Sequence, residues 1–314
     1  FNIEQNNIVV TASIGIAVYP QHGKTNSNLL SHVDFALYEA KNSDQNICLY
    51  NPDNDHLAQR QQALVTDVRD ALDKKQFELY YQPKISAMTG NIVGAEALAR
   101  WKSEKYGSVP PGIFIPVLEQ NGMIDEYTCW AIETALVKAR EWRTASGVIR
   151  IAVNMSPQTL MQPNFIDYIN QLIKNDSDGS LLTFEITENL FLSEFERLAE
   201  ALYHIGSLGV ELSIDDYGTG YSSLSRLRRL PVCELKIDQS FIKEMDDNID
   251  DEAVVHSTIE LAHNLGLSVV AEGVESQSTL DLLTQLGCDT IQGYFVSRPL
   301  PADKFDEFIK AQQA

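Results

Sequence analysis

No run of about 18 apolar residues occurs in the chain, so no segment of it has the length and polarity of a membrane-spanning helix. The opening FNIEQNN has no basic region, no signal-like apolar segment and no initiator methionine, and the chain reads as a piece of a longer protein. Basic side chains are scarce: 24 Lys and Arg stand against 44 Asp and Glu, a formal charge of -20. That balance excludes DNA or RNA as a partner, because a nucleic acid needs a basic track. It leaves room for a small phosphate ester held by metal ions and a few local cations. The four cysteines, Cys48, Cys129, Cys233 and Cys288, are widely separated and lack metal-ligand spacing, which reads as reduced thiols in a cytosolic setting. None of the six histidines ends an apolar run, so histidine acid/base chemistry is not expected. A nucleophile elbow is absent too, as is any glycine-rich dinucleotide loop after a strand.

What is present centres on Leu212 to Ser223, LSIDDYGTGYSS. A short apolar run with alternating side chains ends in Asp215 and Asp216 and then in a glycine-punctuated loop, the pattern of a strand that delivers chemistry at its tip. Adjacent carboxylates repel unless a cation lies between them, so this pair suggests divalent metal. For the dipeptide alone, a solvated acidic turn is the competing reading.

Taken in order, residues 1 to about 50 form a small unit: a strand within Val9 to Val18, a helix from Leu29 to Lys41, and a short strand from Ile47 to Tyr50. A polar turn at Asn51 to His56 marks a boundary, and Gln59 to Lys74 has the spacing of a connecting helix. We divide the chain into 1–52, a linker helix over 53–75, and 76–314. From Phe77 onward strands and helices alternate. Strands are expected at Phe77–Gln82, Ile92–Leu98, Val148–Val153, Leu181–Ile186, Val210–Ile214, Cys233–Ile237, Ser268–Ala271 and Thr290–Gly293. Eight strands with intervening amphipathic helices over about 235 residues match an α/β fold of the closed (β/α)8 TIM-like kind. An open doubly wound sheet is the structural alternative.

The apolar runs meet Glu96, Asn154, Glu185, Asp215 with Asp216, Lys236 with Asp238, Glu272 and Gln292. In a barrel the C-terminal strand ends share one rim, where catalysis sits. Singly, each polar residue has a structural explanation, such as a helix cap or a turn. Together they form a carboxylate cluster that a dry core could not hold without metal. Oxygen donors without histidine or cysteine suit Mg2+ or Mn2+ rather than zinc or copper. Such ions serve phosphate ester hydrolysis. Arg100 is a candidate phosphate clamp, with a surface salt bridge as the alternative. Lys236 would relay the proton of the attacking water or orient that water by its charge.

The motifs EALARW (96–101), VNMS (153–156), FEITEN (184–189), IDDYGTGYSSL (214–224), LKIDQSFI (235–242), AEGVE (271–275) and IQGYFVSRPL (291–300) resemble the EAL domain, the cyclic di-GMP phosphodiesterase family. The ASIGIA strand and DFALYEAK helix resemble the C-terminal part of a GGDEF domain, although the Gly-Gly-acid-acid-Phe signature is nowhere in the sequence, so cyclase activity is not expected. The resemblance implies that Glu96, Asn154, Glu185, Asp215, Asp216 and Glu272 hold two Mg2+ or Mn2+ ions. It implies Lys236 beside the nucleophilic water with Asp238 and Gln292 in its network, and Glu188 steadying the loop after the fifth strand. Glu275 would support Glu272 from behind. Arg100, Leu98, Gln292 and Pro299 are implied on the substrate side, and the product would be linear 5'-pGpG.

Three departures from the family pattern, Ala99, Tyr217 and Asn189, remove no ligand. The resemblance further implies a homodimer through the EAL domain, an upstream GGDEF or sensor region, and a place on the cytoplasmic side. Any inner-membrane anchor would belong to sequence outside this chain. Two other functions compete with hydrolysis: a silent cyclic di-GMP receptor signalling through the linker helix, and a protein-interaction scaffold. The scaffold would leave the rim cluster unexplained.

Overall fold

In a computed structural model of the chain, the described residues are 2–3, 6–7, 14–41, 47–51, 55–144, 147–173, 176–188, 195–218, 224–246 and 248–312. They fall into two units, Phe1–Arg69 and Asp70–Ala314. In the first, Ile14–Ile16 and Ile47–Leu49 pair in parallel, with helix Asn26–Lys41 as the crossover that parallel strands require. A side chain at Gly15 would run into the backbone of Val33 and Leu37, which is why glycine stands there. Residues 9–13 of the expected first strand lie outside the described residues. Helix Asp55–Asp73 buries Leu64, Val68 and Ala71, spaced to share one face. Among the described residues no helix is long and apolar enough to cross a membrane.

The second unit is a closed ring of eight strands, numbered here within this unit. They are β1 (Phe77–Ser86), β2 (Ile92–Ser103), β3 (Arg150–Asn154), β4 (Leu182–Thr187), β5 (Glu211–Tyr217), β6 (Glu234–Ile237), β7 (Ser268–Ala271) and β8 (Thr290–Ile291). From β2 to β8 each strand lies parallel to the next, and β8 closes against β1. Helices such as Ile124–Glu141, Phe195–Ser207 and Ile249–Asn264 cover the outside.

Alternation along the strands decides what faces where. Leu182, Phe184 and Ile186 of β4, Leu212 and Ile214 of β5, and Leu235 and Ile237 of β6 are buried in the main apolar cluster with the helices. Burying each such side chain contributes roughly 1.5–3 kcal/mol. The intervening positions, Thr183, Glu185, Ser213, Asp215 and Lys236, are buried but polar. The outward face thus stabilises the fold and the inward face carries the chemistry.

One expectation is corrected. The strands do not all send their C-terminal ends to one rim, because β1 runs antiparallel to both of its neighbours. Residues 87–91 between β1 and β2 are too few for a parallel crossover, which needs a dozen or more, so a hairpin is the available connection. β2 is also longer than expected, and Glu96 lies within the strand rather than at its end, opposite Gln82 of β1.

Candidate active site

Glu96, Glu185, Asp215 and Glu272 come from four different strands or strand ends and meet around one lysine. Lys236 is fully buried, and its Nζ lies 2.7 Å from Glu272 Oε1, 3.0 Å from Asp215 Oδ1, 3.1 Å from Glu185 Oε1 and 3.7 Å from Glu96 Oε2. Four carboxylates thus surround the one ammonium group. A second lysine, Lys84 of β1, donates to Glu185 Oε1 at 2.8 Å and to Glu234 Oε1 at 3.2 Å. Glu96 is fixed from two sides: Asn154 Nδ2 donates to its Oε1 at 2.8 Å and Gln292 Nε2 to its Oε2 at 2.6 Å.

Asp215 and Asp216 are neighbours in sequence and would ordinarily point to opposite faces. The register between β5 and β6 shifts between Ile214 and Tyr217, and Asp216 takes a positive φ of 55°. This bulge re-aims the second carboxylate. One oxygen from each of Asp215, Asp216 and Glu272 then lies within 4.8 Å of the others, close enough to share a metal ion.

The electrostatics divide the carboxylates into two kinds. Burial would push Glu185 up, but Lys236 and Lys84 outweigh it and bring it down to about 2. Burial raises Glu272 to about 8, with Asp215 and Glu96 adding to the shift against the pull of Lys236. Burial, then Asp215 and Asp238, raise Asp216 to about 6. Glu96 is also raised, by burial and by Glu185. Burial alone would lower Lys236, yet the surrounding carboxylates hold it well above the usual lysine value. Lys236 is therefore held as an ammonium in this arrangement.

The cluster opens into a cavity of about 300 Å3. Glu96, Asp215, Glu272 and Gln292 line it, joined by Leu98, Lys243, Glu275 and Tyr294. The chemistry such a cavity offers is recognition of a ligand through oxygen-bound cations, with few local positive side chains.

The sequence profile of the EAL domain matches residues 65–299. The chain belongs to the EAL domain family. A second profile, the diguanylate cyclase GGDEF domain, matches residues 1–47. The chain is 38% identical over 307 residues to the bifunctional diguanylate cyclase/cyclic di-GMP phosphodiesterase MucR of Pseudomonas aeruginosa, covering 97% of this chain and 45% of that protein. It is 31% identical over 312 residues to the cyclic di-GMP phosphodiesterase PdeR of Escherichia coli, covering 99% of this chain and 47% of that protein. It therefore spans less than half the length of both. Among solved structures, the PaMucR phosphodiesterase in complex with c-di-GMP aligns with a TM-score of 0.73 at 38% identity, over 77% of this chain and 99% of that one.

Within the EAL barrel the remaining expected residues lie further out. Arg100 is half-buried; its Nη1 donates to Ala99 O at 2.7 Å and its guanidinium sits 5.5 Å from the Tyr80 ring centre. Glu188 is buried and accepts from Gly218 N at 2.9 Å, the last described residue before 219–223. Asn189 and most of the Tyr217 to Leu224 loop lie outside the described residues. Asp238 caps the short helix Gln239–Ile242 by accepting from Ser240 N at 2.9 Å. Glu275, implied as a support behind Glu272, is instead exposed on the cavity wall, 3.9 Å from Lys243. Pro299 is half-buried just before Leu300–Pro301, which pairs with β1, and does not line the described cavity.

Sequence reasoning missed Gln82 and Lys84. Their signal was available: two polar residues at alternate positions among Tyr81, Pro83 and Ile85 mark a strand with one polar, inward face. Gln82 Oε1 accepts from Gln292 Nε2 at 3.1 Å, joining the first and last strands of the ring.

Proposed function

We propose that this EAL barrel hydrolyses cyclic di-GMP, cutting one phosphodiester to leave linear 5'-pGpG, with two divalent cations as cofactors. The observation that carries the reading is the convergence of four carboxylates at the floor of an open cavity. The names of MucR and PdeR support it. The residues fit metal ions. Every donor is an oxygen, Glu185 Oε2 is buried without a partner among the described residues, and three carboxylates, Glu96, Asp216 and Glu272, are pushed towards protonation. The cluster thus holds more negative charge than its lysines neutralise.

Glu96, Asn154, Glu185, Asp215, Asp216 and Glu272 would hold the ions, Mg2+ or Mn2+, which when bound supply an acidified water and neutralise charge on the phosphate. Lys236 orients the attacking water by its charge and keeps Glu185 ionised. Gln292 and Asn154 hold Glu96 in place, and Glu188 fixes the start of the 219–223 segment through Gly218 N. Arg100 turns from Ala99 to a substrate phosphate, Leu98 and Pro299 shape the substrate side, and Asp238 anchors the helix beyond Lys236. The barrel works as a homodimer on the cytoplasmic side, and an upstream GGDEF or sensor region, to which 1–52 belongs, is joined to it by the linker helix over 53–75.

The test is incubation of the chain with cyclic di-GMP and Mg2+, Mn2+ or chelator, with products resolved by chromatography. Metal-dependent 5'-pGpG is expected, and Glu96→Ala or Asp215→Ala should abolish it. Turnover that survives either substitution sinks the assignment. Intact substrate with calorimetric binding hands the site to the receptor reading.

A further inference from the structure

The lysine that the mechanism does not use is Lys84. It is buried, and it lies beneath the cluster because β1 runs opposite to its neighbours. Gly94 stands opposite it in register, where an added Cβ would press on Arg150 O at 3.2 Å and only touch the stem of Lys84 at 3.9 Å. From there its Nζ reaches Glu185 Oε1 at 2.8 Å, closer than Lys236 at 3.1 Å. Both ammonium groups share that one oxygen, while Glu185 Oε2 is buried without a partner among the described residues.

Lys84 also faces a second cavity of about 220 Å3 beneath the cluster, lined by Gly94, Arg150, Glu211, Cys233 and Glu234. Its other contact there is Glu234, two residues before Lys236 on the same strand and so on the same face. One lysine therefore connects a carboxylate of the site with a carboxylate of the opposite cavity.

We infer that Lys84 is a positioning residue: by holding Glu185 Oε1 from below, it fixes which oxygen of that carboxylate is presented to a divalent cation. The inference rests on the metal-binding reading above. The competing account is that Lys84 only neutralises Glu234, a structural role. The two accounts part at the charge-balanced variant Lys84→Met/Glu234→Gln. It removes one positive and one negative charge, so the net charge of the chain is unchanged, and because the lost positive charge lies nearer Glu185 than the lost negative one, charge alone would strengthen cation binding. What it takes away is the donor to Glu185.

The experiment measures Mn2+ binding to the full chain from the loss of the free-ion paramagnetic resonance signal, together with thermal unfolding in chelator. Lys84→Met alone leaves the half-buried Glu234 without its cation and the buried Glu185 with Lys236 alone, and is expected to destabilise the chain. The double variant should regain unfolding behaviour near that of the unsubstituted chain, yet bind Mn2+ about 10–100-fold more weakly, the usual loss when the group orienting a metal ligand is removed. Unchanged Mn2+ affinity in the double variant overturns the inference. So does a double variant as unstable as Lys84→Met, because Lys84 is then a prop for the fold. No Mn2+ binding by the unsubstituted chain overturns the metal reading itself and the inference with it.

Discussion

Glu272 and Asp216 are carboxylates that the fold keeps partly protonated, with values raised to about 8 and about 6. Without metal, the folded chain binds more protons than the unfolded chain between the ordinary carboxylate range and these raised values. Stability therefore falls as pH rises through that window. Glu185, lowered to about 2, stays ionised across the window in both states and does not alter the sign. In chelator the unfolding temperature is expected to be higher at pH 6 than at pH 8, and saturating Mg2+ or Mn2+ should shrink or reverse the gap. A metal-free chain equally stable at both values rules out the repulsive cluster. At this scale most of the site was legible, because a carboxylate inside an apolar strand such as FEIT has no ordinary structural use. Alternation with Tyr81, Pro83 and Ile85 put Lys84 on the inward face of β1, but its place beneath Glu185 depends on the direction of that strand as well.

The decisive element is the bulge at the end of β5. Asp216 pays for its position with a positive φ and with repulsion from Asp215. Asp216→Gly keeps the backbone and removes the charge, so the metal-free chain at pH 8 should gain about 1 kcal/mol, a rise of roughly 2–4 °C in unfolding temperature. Asp216→Val removes the same charge but puts a branched side chain at that φ, and should lower the temperature. Both should weaken metal binding, measured by calorimetry. If valine and glycine behave alike, the conformation at 216 is not under strain. Alternation made β4, β6 and β7 readable within a residue and β5 except for its last three residues, where the bulge lies, and helical spacing found the helices that cover them. Helix Pro111–Gln120 escaped because Pro111 and Pro116 break the sequence signal, although a proline at the first helical position is compatible with the fold. The direction of β1 was readable in principle from the few residues separating it from β2.

Across the whole molecule, the ring is closed at the seam between β8 and β1, and helix Ala302–Gln312 covers the outside of it. Phe305 of that helix is fully buried, with its ring 4.6 Å from Trp142 and 6.0 Å from Tyr81 of β1. Phe305→Ala should cost about 3–5 kcal/mol, read by chemical denaturation. A loss below 1 kcal/mol would mean that the helix is not what secures the seam.

The same seam sets an order of events during synthesis. Gln292, which holds both Glu96 and Gln82, leaves the ribosome 196 residues after the first and 210 after the second. A nascent chain carries most of its carboxylates long before it possesses the amide that aligns one of them. Chain order thus leaves the cluster incomplete, and its last hydrogen bonds form only once translation has passed the strand that shuts the ring.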